Sequence, residues 1–156
     1  MLTPVEIDRA TVPDFLRLRL KDGQERFVAS NAITIAQAQF EPNVWLRGLS
    51  DGDVAVGLIA MIDTGALIGP PEDWEPANAA YLWRLMIGDA FQGRGYGRAA
   101  LSLAFDMARL WGRETLTLDV VEAPGSAAPL YRQFGFRPTP VLNDEERFMT
   151  APVPRQ

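Results

Sequence analysis

The chain contains no cysteine and no histidine. These absences exclude Ser-His-Asp and Cys-His nucleophilic sites, disulfides, zinc-thiolate centres and every imidazole base. Lys21 is the only lysine and stands near a predicted helix end, which leaves little basis for Schiff-base chemistry. Catalysis would have to rest on carboxylates, Tyr, Ser, Thr, Arg and main-chain N–H groups. Long apolar runs are missing too. The longest, Val54 to Ile62, has Gly57 inside it and falls far short of the roughly 20 residues of a membrane helix. Glu6, Asp8, Arg9 and Asp14 interrupt the opening stretch, so no secretory apolar segment is expected there and a cytoplasmic location is.

What is present fits one globular domain. The chain has 156 residues, 47% of them hydrophobic and 22% charged, which suits a single core of ordinary size. We place the domain over residues 1–150, with a flexible tail over 151–156. The net charge of −5 comes from 20 acidic and 15 basic residues, and the basic ones are scattered. That balance disfavours nucleic acid and suits a cationic small molecule better. No membrane partner and no metal are expected.

The periodicity then sets out the elements. Residues 3–9 read as a short strand, and Val12 to Lys21, with Pro13 near its start, as a helix broken by Asp22-Gly23. Asn31 to Phe40 reads as a second helix stopped by Glu41-Pro42-Asn43. Val44 to Leu49 and Val54 to Ile62 flank Ser50-Asp51-Gly52-Asp53, a hairpin signal. Thr64 to Asn78, rich in Pro, Gly and acid, reads as an exposed loop, and the largely apolar Ala79 to Ile87 as a central strand. In the long helix Gly95 to Trp111, the polar residues Arg98, Ser102, Asp106, Arg109 and Arg113 recur every three or four positions. They form one narrow wet stripe on an otherwise apolar cylinder, which must lie against a sheet, and Gly112 supplies the stop. Thr115 to Glu122 is a strand, Ala127 to Phe134 a short helix capped by Gly135, and Phe136 to Leu142 with Glu146 to Thr150 a closing hairpin. The order β-α-α-β-β-β-α-β-α-β-β implies an α/β (α+β) mixed sheet with parallel pairing around the long helix.

The chemistry concentrates in Gln92-Gly93-Arg94-Gly95-Tyr96-Gly97-Arg98, between the central strand and the long helix. Glycines let main-chain N–H groups approach an anion closely, the helix N-terminus adds partial positive charge, and Arg94 and Arg98 add full charges. This is a pyrophosphate cradle. No Gly-Lys followed by Ser or Thr is present, so it is not a nucleoside-triphosphatase loop. Gly95-x-Gly97-x-x-Ala100 satisfies the loose dinucleotide fingerprint, and Asp119 lies near the roughly 20-residue distance expected for a ribose contact. That fold, however, places the fingerprint after its first strand, whereas here most of the chain precedes it.

Gln92-x-x-Gly95-x-Gly97 resembles the acyl-CoA signature of the GNAT acetyltransferase superfamily, Gln/Arg-x-x-Gly-x-Gly/Ala. Leu130-Tyr131-Arg132-Gln133-Phe134-Gly135-Phe136 resembles its downstream Leu-Tyr-x-x-x-Gly-Phe segment, and the element order matches as well. A narrower resemblance, to the bacterial spermine/spermidine acetyltransferases, is carried by Gln24 to Asn31, Ile35 to Ala38 and Leu82 to Ile87.

The superfamily resemblance implies an acetyl-CoA-dependent transfer to a primary amine, and the narrower one a polyamine or similar small molecule. By the same analogy, Met86, Ile87 and Gly88 pair with the pantetheine arm, Gln92 to Arg98 hold the pyrophosphate, and Tyr131 is the general acid. The general base stays open among Glu41, Asp119 and Glu122, because the family's strand Glu aligns with Trp83. Pro124 stands where the family often has Asn, so Ser126 is the expected cap and coenzyme contact. A homodimer is common in the superfamily and is expected by analogy. Two alternatives remain, an acetyltransferase of proteins or peptides and a non-catalytic acyl-CoA-binding module.

Overall fold

The apolar alternation of the strands and the apolar face of the long helix assemble, in the computed structural model, around one seven-stranded sheet of order β1-β2-β3-β4-β5-β7-β6. The structure describes residues 1–155. The strands are β1 (Leu2–Val5), β2 (Val44–Asp51), β3 (Val54–Ile62), β4 (Ala79–Ile87), β5 (Thr115–Val121), β6 (Arg137–Asn143) and β7 (Glu146–Pro152). The helices are α1 (Val12–Leu16), α2 (Asn31–Ala38), α3 (Tyr96–Leu110) and α4 (Ala128–Gln133). All seven strands and four helices appear in the expected order, and the mixed α/β fold class stands.

Several boundaries move for local reasons. β1 ends early because Asp8 Oδ1 accepts from the N–H groups of Ala10 and Thr11, closing a turn. α1 stops at Leu16 because Arg17-Leu18-Arg19-Leu20 alternates polar and apolar, a period that suits extended chain. The Arg19 carbonyl then accepts from Asp89 N–H at 2.8 Å, tying this segment to the turn after β4. The tail expected over 151–156 is largely docked. β7 continues through Pro152, Val153 is buried and donates to the Glu114 carbonyl at 2.8 Å, and Arg109 Nε donates to the Pro154 carbonyl at 3.0 Å. Gln156 lies outside the described residues.

The core lies between the sheet and α3. Ala100, Ala104 and Ala108 recur every four residues and are fully buried beside Leu101 and Phe105, so small side chains let α3 approach β4 and β5 closely. The apolar cylinder expected for α3 is narrower than the sequence suggests, with Leu110 77% exposed. Arg113 leaves the wet stripe altogether. Its guanidinium turns in to Asp63, with Nε to Oδ1 at 2.6 Å and Nη2 to Oδ2 at 3.1 Å. On the opposite face, α1 and α2 cover β2 and β3, and Phe15 lies directly over Gly48.

β4 holds the two irregularities that matter. Its antiparallel register with β3 shifts between Met61, opposite Leu82, and Ala60, opposite Arg84, leaving Trp83 as an extra, bulged residue. Its parallel pairing with β5 covers only Ala79, Ala80 and Tyr81 against Thr115, Leu116 and Thr117. Beyond Tyr81 the two strands diverge and leave a gap.

A Cβ on Gly48 would overlap the Phe15 ring, and core overpacking of this kind destabilises by about 3 kcal/mol. Gly48→Ala should therefore melt roughly 6–12 °C lower than the parent chain, as read by circular dichroism.

Candidate active site

The gap is bounded at one end by the glycine turn. Gly93 and Gly95 adopt left-handed backbone with φ of 75° and 86°, and a Cβ at either would meet nothing within 4 Å, so the surface in front of them is open. The first main-chain bond of α3 is donated by Ala99 to the Gly95 carbonyl. The N–H groups of Gly93 to Arg98 therefore have no main-chain acceptor among the described residues and face outward with the helix dipole. Arg98 is held by α4, its Nη1 donating to Gln133 Oε1 at 2.6 Å and its guanidinium lying 5.2 Å from the Phe134 ring. Arg94 is exposed above Phe91, at 5.8 Å from the ring centroid.

Several of the expected coenzyme contacts are otherwise engaged. Gln92 turns away from the cradle, its amide nitrogen donating to the Ile87 carbonyl at 3.0 Å and to Gln24 Oε1 at 2.8 Å. Tyr96 donates to Asp51 Oδ2 at 2.6 Å, which anchors the start of α3 to the β2–β3 hairpin. Gly88 donates its N–H to the Val56 carbonyl and accepts from Phe91 N–H, so both its main-chain groups are used. That bond sets the ladder phase, and alternation turns the main-chain groups of Ile87, not of Met86, toward the gap. Ser126 Oγ accepts from Ala128 N–H at 3.3 Å, one residue before the position that caps α4.

A cavity of about 520 Å³ runs from the cradle along Leu85, Met86 and Ile87 to Tyr131 and Asp119. A second, of about 220 Å³, adjoins it and shares Tyr131, Asp119 and Leu85. It is walled by Glu25 and Arg26 before α2, by Trp83 and Arg84 at the bulge, and by Glu146. Tyr131 packs edge-on against Phe136, with centroids 5.8 Å apart, and its hydroxyl has no hydrogen-bond partner among the described residues. Desolvation pushes its phenol up to about 12.

Asp119 faces this junction fully bonded: Oδ2 accepts from Tyr81 Oη at 2.8 Å and Oδ1 from Asn143 Nδ2 at 2.9 Å. The β5–β7 register explains its company. Asp119 lies opposite Phe148 and Val121 opposite Glu146, and residues directly opposite share a face, so Glu146 is the diagonal neighbour of Asp119. Glu146 makes no hydrogen bond or ion pair among the described residues. Burial raises its pKa above the usual carboxylate value, and the Asp119 and Asp144 charges raise it further against the opposing pull of Arg84.

The remaining base candidates lie elsewhere. Glu41 is exposed in the turn after α2 and lines neither cavity, and Glu122 is paired with Arg132 at 3.5 Å and Arg147 at 3.4 Å outside them. Nothing local in the sequence marks Glu146 or Tyr81, where one reads as a hairpin end and the other as part of an apolar strand. Only the cross-strand register marks them.

The sequence profile of the acetyltransferase (GNAT) family matches residues 12–136, most of the chain. The chain belongs to that family. The solved structure of the ribosomal-protein-S18-alanine N-acetyltransferase from Escherichia coli aligns over 100% of this chain and 96% of its own, with TM-score 0.69 and 19% identity. The PaiA N-acetyltransferase from Thermoplasma acidophilum, in complex with coenzyme A, aligns over 97% and 99%, with TM-score 0.68 and 14% identity. The GNAT domain of S. lividans PAT covers 97% of this chain and 89% of its own, with TM-score 0.74 and 17% identity. At these identities the likeness is one of fold, and no curated protein sequence matches the chain. In this acetyltransferase the splayed β4–β5 pair and the free amides of the glycine turn fit the arm and diphosphate of the coenzyme.

All three tyrosines of this GNAT chain have raised phenol pKa values. The chief cause is burial for Tyr81 and Tyr131 and the Asp51 hydrogen bond for Tyr96. A free tyrosine is half ionised near pH 10. The folded protein should therefore show less phenolate absorbance at that pH than three free tyrosines would; equal absorbance would contradict the site geometry.

Proposed function

We propose that this acetyltransferase moves the acetyl group of acetyl-CoA to the primary amine of a small molecule bound in the smaller cavity. The observation that carries this reading is the meeting of the two cavities at Tyr131 and Asp119, with the unbonded Tyr131 phenol at the junction and the unpaired Glu146 carboxylate on the wall of the smaller cavity. Acetyl-CoA supplies the activated thioester. The amides of Gly93 to Arg98, with Arg94 and Arg98, hold its diphosphate, and Leu85, Ile87 and Leu130 line its arm.

Tyr131 holds its proton across the neutral range and so can deliver it to the sulfur as the thiol departs. The amine arrives protonated, with a pKa near 10, and needs a proton acceptor. Both oxygens of Asp119 already accept hydrogen bonds, whereas Glu146 has free lone pairs and a raised pKa. Glu146 therefore takes the proton, and Asp119 orients Tyr81 and supplies negative charge for the ammonium. The resemblance to polyamine acetyltransferases favours an acceptor with several charges. Arg26 and Arg84 on the walls of the same small cavity would repel the second and third ammonium groups, so we propose a monoamine.

Thiol release from acetyl-CoA with a panel of amines tests the reading. Tyr131→Phe should lower kcat by about a hundredfold with coenzyme affinity unchanged, and undiminished turnover would remove Tyr131 from the mechanism. Glu146 acts deprotonated, so the wild-type rate should fall as pH drops through its raised pKa. Glu146→Gln should lower kcat and abolish that acid limb.

A further inference from the structure

The loop between β3 and β4 is built differently from the other connections. Its ends are clamped together, Asp63 by the bidentate bond from Arg113 and Thr64 by donation from its Oγ1 to the Ala79 carbonyl at 2.9 Å. Between them the chain presents Leu67, Ile68, Pro70, Pro71, Trp74 and Pro76, and Ile68 and Trp74 are exposed to solvent. Proline fixes φ, so this wall loses little freedom when something is bound against it. Beneath the loop lies a cleft of about 320 Å³, larger than the 220 Å³ of the acceptor cavity.

Two observations connect the cleft to the chemistry. Its floor is Tyr81 and Asp119, which also wall the acceptor cavity, so the two spaces adjoin across one side-chain hydrogen bond. Its end is Trp74 packed edge-on against Phe148, with centroids 5.0 Å apart at 80°, and Phe148 sits opposite Asp119 in the β5–β7 ladder. No lysine or arginine lines it, and its one loop carboxylate, Glu75, already accepts from Glu72 N–H. Phosphate would find no cation there. An apolar ring would find an aromatic edge and proline faces.

We infer that this cleft is the second half of the acceptor site and takes an apolar, ring-bearing group carried several atoms from the reacting nitrogen. The inference rests on the proposed amine acetyltransfer and adds to it a substrate class and a residue, Trp74, that selects it. An amine held beside Glu146 and Asp119 would run its skeleton over the Tyr81–Asp119 bond and bury the ring against Trp74.

The test compares n-butylamine, 4-phenylbutylamine and spermidine as acceptors. Wild-type protein should use 4-phenylbutylamine about tenfold or more better in kcat/KM than n-butylamine, the difference lying in KM, with spermidine the poorest. Trp74→Ala should erase most of that advantage by lowering kcat/KM for 4-phenylbutylamine far more than for n-butylamine, while Asp73→Asn, in the same loop but off the cleft, should alter neither. Ile68 is fully exposed, so Ile68→Ser carries little risk to folding and should shrink the ring preference in the same direction. Absence of a ring preference, or equal losses for both monoamines in Trp74→Ala, overturns the inference and leaves the acetyltransfer reading intact. So does a spermidine preference that the Trp74 variant leaves intact. Failure to acetylate any of the three amines despite binding acetyl-CoA overturns the transfer reading, and this inference with it.

Discussion

Parallel strands normally run side by side for as long as their main-chain groups can pair, and β4 and β5 give up that pairing after Tyr81 and Thr117. Main-chain donors and acceptors released in a protein interior need partners, because an unpaired buried group destabilises by as much as a lost hydrogen bond. The gap therefore combines the apolar packing of a core with the unspent hydrogen-bonding capacity of two strand edges. A thioester arm, with amides along an otherwise aliphatic chain, has the matching character. The Gln92 amide occupies the Ile87 carbonyl on one side of the gap and holds Gln24 on the other. The mouth is thus braced by a side chain whose family position is usually assigned to the coenzyme.

Around this gap the charges are sorted by end. Helix-terminal amides and two guanidinium groups stand at the α3 end, the end we propose for the diphosphate. Asp119 and Glu146 stand at the β5–β7 end, the end we propose for the ammonium. In the proposed function the two sets serve different ligands from opposite sides of one junction, which would let a protein with a net charge of −5 hold a polyanion. Tyr131 lies between the two fields, packed on Phe136 and desolvated, and its phenol stays neutral as a result.

Much of this was legible in the sequence because it is local. The glycine turn, the start of α3 at Tyr96, the stop at Gly112 and the limits of β4 depend on residues adjacent in the chain, and they fall where the pattern places them or within a residue or two. Tyr131 is legible because its motif is contiguous. The acid group at the junction was half legible. Asp119 could be named as one carboxylate among three, but its neighbour Glu146 follows only from the register of two strands joined through a helix and a third strand. Glu41 shows the converse, since a carboxylate that the sequence offers as a base stands in solvent in the turn after α2. The 64–78 loop reads as exposed from its composition, and it is; that it roofs a cleft depends on the Arg113–Asp63 clamp, a pairing across the molecule.

The extra residue at Trp83 reaches further than its own position. Side chains along a strand alternate between faces, yet Tyr81 faces the acceptor side with Asp119 while Leu85 and Ile87, of the same parity, pack toward the α3 core. One inserted residue has reversed the phase of the strand halfway along. Tyr81, before the bulge, then shares a face with Asp119, while Arg84, just after it, begins the half whose Leu85 and Ile87 turn to the core. Removing a single residue there would exchange the two faces of everything after it, so the length of β4 is constrained at that point more tightly than the chemistry of any one of its side chains.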